Sequence, residues 1–216
     1  MYYAVAVPSS QVFGPALVRG ARGAGRIALT FDDGPSESTP AVLDALARHG
    51  ARATFFLCGA NVLRLPEVTR RIAAEGHEVG NHTQNHPRFY LRAPRQIARV
   101  VADAQRSIQT VLGRPPVLFR PPYGVRWFGL YPALRQMELR AVLWSACAFD
   151  WRRSSEAIAG ALRKNAGDGD IVLLHDGDRT TPGDRRSATA RALDVALPEF
   201  ERRGLHCVTV SELFGT

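Results

Sequence analysis

Short strand-like runs alternate with longer amphipathic segments along most of these 216 residues, and that alternation leaves few folds open. The runs are RIALTF (26–31), ATFFL (53–57), HEVGN (77–81), VLFR (117–120), RAVLWS (140–145), DIVLLH (170–175) and LHCVTV (205–210). Most are apolar without interruption, as strands are when both faces of their sheet are covered. Between them the pattern predicts helices. One spans 40–49, with Thr39 as N-cap, Pro40 at its first position and Gly50 as its stop, and another spans 66–75 and ends at Gly76. The longest covers 94–112, with Ile97, Val101, Ala104, Ile108 and Val111 on one face and Gly113 after its end. Further helices are expected over 131–137, 154–164 and 185–203. Strands joined by helical crossovers make a parallel sheet. This many units in so short a chain imply a closed or nearly closed α/β barrel. One domain over 26–216 is expected, after an irregular Gly-, Pro- and Ser-containing arm at 1–25. No GxGxxG or GxxxxGK[ST] follows the first strand, which weakens nucleotide-binding open sheets.

Hydrophobic residues at 45% and charged residues at 22% exclude a disordered, coiled-coil or collagen-like chain. The net charge of +8 comes almost entirely from arginine, because Lys164 is the only lysine. Such a surface attracts nucleic acid, anionic lipid and acidic polymers alike. No basic run is interleaved with aromatics, so no nucleic-acid partner is expected. No apolar run approaches the roughly 20 residues of a membrane span, and MYYAVAV is too short for a signal-peptide core and lacks a basic flank. Cys58, Cys147 and Cys207 form no CxxC pair and sit in apolar strings, which predicts buried structural thiols rather than a disulfide framework. Nothing in the pattern fixes an oligomeric state.

In barrels of this kind chemistry gathers at the carboxyl ends of the strands. Those ends carry Asp32 and Asp33, His82 and His86, Arg120, Asp150 and Trp151, and His175. One shared site explains this better than a solvated surface does. One helical turn would bring His82 and His86 within about 6 Å, a fitting separation for two ligands of one cation. Two imidazoles and a carboxylate recur around catalytic metals, and the Asp32-Asp33 pair is the best source of the carboxylate. Adjacent aspartates repel each other when ionised, and a cation relieves that. Taken singly, the histidines could be ordinary surface residues and the aspartates solvated turn residues. Their combination favours a metal site.

The strings TFDDGP (30–35), HTQNH (82–86), RPPYG (120–124), FDW (149–151) and IVLLHD (171–176) resemble, in order and spacing, the five motifs of the polysaccharide deacetylase family, carbohydrate esterases with the NodB-homology domain. The resemblance spans residues 26 to about 214. It implies a distorted (β/α)7 barrel and metal-dependent removal of N-acetyl groups from amino sugars, with zinc the usual metal and cobalt or another divalent ion an alternative. It further implies that Asp33, His82 and His86 hold the metal and that Asp32 is the general base, oriented by Arg120. The backbone N–H of Tyr123 would help bind the oxyanion. His175, tuned by Asp150, would be the general acid, and Trp151 and Leu173 would line the groove around the acetyl methyl. Family habit implies a place at the cell envelope. One position departs from the pattern: Cys147 stands where many members carry an aspartate three residues before the Asp-Trp, which removes a charge partner and points to altered specificity or loop packing.

The chemistry supports these roles independently. An amide is a poor electrophile and neutral water a poor nucleophile; a divalent cation addresses both by acidifying water and polarising the carbonyl. The departing amine needs a proton, which a histidine held by a carboxylate can give near neutral pH. The residues point to N-deacetylation of N-acetylglucosamine-containing glycans. O-deacetylation on the same scaffold is the first alternative and a non-catalytic glycan-binding module the second. An iron oxygenase with the same ligand types is disfavoured, because those normally ride on all-β barrels.

Overall fold

The computed structural model describes Val7, Ser10 and residues 12–215. Its strands are β1 (Arg26–Asp32), β2 (Thr54–Leu57), β3 (Glu78–Asn81), β4 (Leu118–Phe119), β5 (Arg140–Ala141), β6 (Ala146–Cys147), β7 (Ile171–His175) and β8 (His206–Cys207). All pair in parallel, in the order β5-β4-β3-β2-β1-β7-β6, with β8 against the start of β1. The sheet curls into the expected distorted (β/α)7 barrel. Around it lie α1 (Thr39–Arg48), α2 (Gly59–Arg64), α3 (Pro66–Ala74), α4 (Pro94–Leu112), α5 (Leu130–Gln136), α6 (Ser155–Asn165), α7 (Ser187–Arg202) and α8 (Val210–Phe214). Among the described residues no helix is long and apolar enough to cross a membrane.

The alternating pleat of the strands sorts side chains between two cores. From β1 and β7, Ile27, Leu29, Phe31, Val172 and Leu174 pack beneath the helices with Leu43 and Leu46 of α1 and Leu193 and Leu197 of α7. The intervening Ala28 and Ile171 face the barrel interior with Phe56, Leu118 and Val142, and Val210 and Leu213 of α8 close its floor. Continuing the same alternation upward, Thr30, Asp32, Leu173 and His175 rise on the inner face toward the carboxyl-terminal mouth. A strand buried on both faces thus delivers its last inward residues to the site.

Four local expectations are corrected. Thr39 is the first residue of α1 rather than its cap, because its hydroxyl is taken by other partners: it accepts from the Ser36 N–H at 2.8 Å and donates to Asp176 Oδ2 at 2.6 Å. Helix α2 was not foreseen; its sequence GANVLR offers no capping side chain. The single strand expected over 140–145 is instead cut to β5 at its start, and β6 follows just past its end at the opposite edge of the sheet. Its first residues pair with β4 and residues 146–147 pair with β7, so one stretch of chain closes the barrel seam. Leu17 enters that seam, accepting from the Leu143 N–H and donating to the Ala141 carbonyl, both at 2.8 Å, and Arg19 pairs with Asp170. Finally, the strand expected over 205–210 stops at Cys207, because Thr209 and Glu212 form a capping box that starts α8.

Candidate active site and metal centre

Asp32 ends β1, and Asp33 leaves the strand in the left-handed region at φ 75°. His82 and His86 follow β3 in a loop, not on the helical turn that their spacing suggested. Thr83 and His86 adopt φ 68° and 52° there, which brings the two rings to 4.9 Å between centroids. Asn81 pins this loop by accepting from the Thr83 N–H at 2.8 Å. Six of the eight described non-glycine residues with positive φ border the site: Asp33, Thr83, His86, Tyr123, Phe149 and Arg179. Each such conformation costs about 1–3 kcal/mol and persists where surrounding structure holds it.

Asp33, His82 and His86 are buried, and each offers a ligand atom within 4.8 Å of the others. His82 Nδ1 donates to the Arg120 carbonyl at 2.7 Å, so in the neutral ring Nε2 carries a lone pair toward the site. That Nε2 lies 3.5 Å from Asp33 Oδ1, and His86 Nε2 lies 3.2 Å from the same oxygen. Asp33 Oδ1 is buried without a hydrogen-bond partner. Ligand-type atoms converging on one buried point fit a cation between them, and two nitrogens with one carboxylate oxygen suit a divalent transition metal with open positions. The residues therefore fit the metal. Burial would raise the Asp33 carboxyl, but the adjacent His82 and His86 outweigh it and hold the group well below the usual carboxylate range. Burial, reinforced by the neighbouring His82, brings His86 down to about 4, which favours its neutral, ligating form.

Asp32 is held by Arg120, whose Nη1 donates to Asp32 Oδ1 and to Thr30 Oγ1, each at 2.7 Å. The other donors of this fully buried guanidinium meet the carbonyls of Val142 and Leu143 at 3.4 and 3.0 Å, and its Cζ lies 4.1 Å from the centroid of the Phe56 ring. A Cβ on Gly80 would strike that Phe56 ring at 2.5 Å, so glycine is needed there to seat the arginine. With Oδ1 engaged, Asp32 Oδ2 lies 3.8 Å from His82 Nε2.

A second acid–base pair stands nearby. Asp150 Oδ1 accepts from His175 Nδ1 at 2.8 Å, while Oδ2 accepts from the His175 N–H at 2.8 Å and from Thr189 Oγ1 at 2.9 Å. Burial alone would lower His175, but the Asp150 carboxylate overrides it and raises the imidazole to about 9. Trp151 sets its ring edge-on to His175 at 5.1 Å.

These groups open into one groove of about 820 Å³, lined by Asp32, Asp33, His82, His86, Tyr123, Trp151, Leu173 and His175 together. Trp151 is 37% exposed and Leu173 is buried at the groove wall. Tyr123 lies in the 3₁₀ turn Pro122–Gly124 at φ 58°, its ring 4.5 Å from that of His86. All ten residues singled out from sequence thus fall together: nine of them line the groove or share its metal cluster and acid–base pair, and Arg120 lies directly beneath Asp32. Cys147 is half-buried rather than buried, as is Cys207, and burial pushes the Cys147 thiol up to about 11. It accepts from the Phe149 N–H at 3.4 Å and lies outside the metal cluster.

Several contributors were missed. Trp144 lines the groove beside Gly124, where a Cβ would meet its indole at 2.7 Å. Asn61 of α2 donates both amide protons, to the Asp33 carbonyl at 2.8 Å and to the Arg179 carbonyl at 2.7 Å. Asp176 is buried behind Asp33. Burial pushes its carboxyl up to about 7 against the bond from Thr39, and its Oδ1 has no partner. Arg152, Arg179, Arg185 and Arg186 also line the groove. They lie in the loops that follow β6 and β7, and that placement was the only signal available.

The sequence model described as polysaccharide deacetylase matches residues 19–142. A peptidoglycan-N-acetylglucosamine deacetylase of Bacillus cereus is 40% identical over 191 residues, covering 87% of each chain. A chitooligosaccharide deacetylase of Bradyrhizobium sp. is 38% identical over 200 residues, covering 86% of this chain and 89% of that one. Among solved structures, the peptidoglycan N-acetylglucosamine deacetylase Bc1960, in complex with 4-naphthalen-1-yl-N-oxidanyl-benzamide, superposes with a TM-score of 0.87 at 32% identity, covering 93% of both chains.

Proposed function

This chain belongs to the polysaccharide deacetylase family, and on that premise we propose that it removes N-acetyl groups from N-acetylglucosamine-containing glycans of the peptidoglycan or chitin type, releasing acetate and leaving a free amine. The observation that carries this reading is the convergence in one groove of the Asp33–His82–His86 cluster, the Arg120-held Asp32 and the Asp150-held His175. Asp33, His82 and His86 would hold a divalent cation, zinc by the chemistry of the donor set, which when bound supplies the Lewis acidity that activates water and polarises the acetyl carbonyl.

The chain's own groups do the rest. Asp32 accepts the proton of the attacking water: Arg120 binds its Oδ1, fixing the carboxylate's orientation while leaving Oδ2 toward the groove. The backbone N–H of Tyr123 donates to the oxygen on which negative charge develops, a contact whose loss typically costs about 3 kcal/mol of transition-state stabilisation. His175 gives its proton to the departing nitrogen. Because Asp150 binds Nδ1, only Nε2 is left for that transfer, and a value of about 9 keeps the ring charged at neutral pH. Leu173 and Trp151 form an apolar wall suited to the acetyl methyl and a sugar face. The peptidoglycan deacetylases among its relatives support a place at the cell envelope.

The test is acetate release from N-acetylglucosamine oligomers, peptidoglycan strands and acetylated xylan, with and without chelator and with divalent ions restored. Chelator-sensitive release from the amide substrates, recovered best with zinc, is expected. Release from acetylated xylan alone would replace the amide reading with the ester one.

A further inference from the structure

Four guanidinium groups line the groove against a single rim carboxylate, Asp178. Two of the four are engaged. Arg185 and Arg186 approach Asp178 at 3.9 and 3.7 Å, and Arg186 Nε also donates to the Gly177 carbonyl at 2.7 Å. The other two, Arg152 and Arg179, form no ion pair among the described residues, and both are exposed. Neither hangs on a free loop. Arg152 ends the short turn Asp150–Arg152, whose first residue grips His175. Arg179 sits in the left-handed region at φ 53°, its carbonyl held by the same Asn61 amide that holds the carbonyl of Asp33. The backbone at each arginine is thus tied to a component of the reaction centre.

Unpaired arginines in a groove, on backbone fixed relative to the reacting groups, suit a planar anion carried by the substrate, since the guanidinium fork matches two carboxylate oxygens. We propose that Arg152 and Arg179 form a carboxylate-recognition site and that the preferred substrate is an acidic N-acetylated glycan rather than a neutral one. This rests on the deacetylase reading and deepens it. The carboxylate has two chemical sources, an acid group on a sugar of the strand or an acid on a peptide attached to it.

The experiment compares the wild-type protein, Arg152→Gln, Arg179→Gln and the double variant, all metal-loaded. Substrates are a neutral N-acetylglucosamine oligomer, a glycan strand with acidic sugars and no peptide, the same strand with its peptides, and the strand with its carboxylates converted to amides. Acetate release gives kcat/KM, and calorimetry gives binding independently of turnover. The wild type is expected to favour the acidic strand over its amidated form by about tenfold or more. The double variant should lose that preference mainly through KM, and added salt should shrink it. A preference already present without peptides places the carboxylate on the sugar; one that appears only with peptides places it there. Equal handling of acidic and amidated strands by the wild type, or equal losses on acidic and neutral substrates in the variants, overturns the proposal. Arginine-dependent binding of the acidic strand without acetate release from any glycan would instead overturn the deacetylase reading and leave the carboxylate site standing.

Discussion

At the amino-terminal mouth of the barrel, Asp170 is buried with both oxygens occupied: Oδ1 accepts from Ser145 Oγ and pairs with Arg19, each at 2.6 Å, and Oδ2 accepts from the Gly167 N–H at 2.9 Å. At the carboxyl-terminal mouth, Asp33 is equally buried, yet one of its oxygens has no hydrogen-bond partner and faces two imidazole nitrogens. The histidines differ in the same way. His77, near the floor, accepts from the Ala53 N–H at 3.3 Å, and burial lowers its pKa so that it stays neutral. His175 is also largely buried but is raised to about 9 by a carboxylate placed against it. Where polar groups are satisfied they hold the fold; where they are left unsatisfied or forced into a charged state, they are free to act on something else.

The strongest challenge to this contrast removes the rim groups themselves. Asp33→Ala and His82→Ala should each lose most of the bound metal by elemental analysis and about a thousandfold or more in turnover. Asp32→Asn should lose a similar factor while keeping the metal, because Asp32 is engaged by Arg120 rather than placed in the cluster. Metal loss in Asp32→Asn would exchange the roles of the two aspartates.

Next in size is the histidine contrast, read as stability against pH. His175 has a folded pKa above its ordinary 6.5, so its stabilisation is complete below pH 6.5 and lost as pH rises through about 9. At full extent it is at most about 3 kcal/mol, and Asp150→Asn should remove it. The denaturation midpoints of wild type and variant should therefore converge between pH 6.5 and 9, and the alkaline limb of activity should move down in the variant. His77 has the opposite sign. Its folded pKa is lowered, so its contribution is present above pH 6.5 and declines below it, by at most about 1.4 kcal/mol per pH unit. A His77→Gln variant should flatten the acid limb alone.

Smaller still is the exchange of effects between the mouths. Asp170→Ala should cost about 2–3 kcal/mol of stability, seen in a denaturant midpoint, with turnover kept within about twofold. In the metal-free protein, Asp33→Asn should lose the stabilisation that His82 and His86 give its carboxylate at neutral pH, and the difference from wild type should fade as the medium is acidified.

Much of this was legible from local chemistry. Helix α4 begins at Pro94 and ends before Gly113 as its signals predicted, because a first-turn proline and a left-handed glycine act within a few residues of themselves. What failed depended on distant partners. RAVLWS reads as one strand because apolarity records burial and not which edge a residue pairs with. Thr39 looks like a cap until Asp176, far along the chain, takes its hydroxyl. The histidine spacing pointed to a shared ligand set but to the wrong backbone, since a loop with two left-handed residues brings the rings as close as a helical turn would.

The order of strands and helices, the parallel sheet and the set of polar residues at its carboxyl edge were written in the chain, because periodicity and strand-end position are local properties. Only the tertiary structure decided which ligand-type atoms would converge on one buried point, which carboxylate would hold His175 charged, and which arginines would remain unpaired in the groove. Those outcomes depend on distances of a few ångströms between residues far apart in sequence, and electrostatic and hydrogen-bond energies change over that same range.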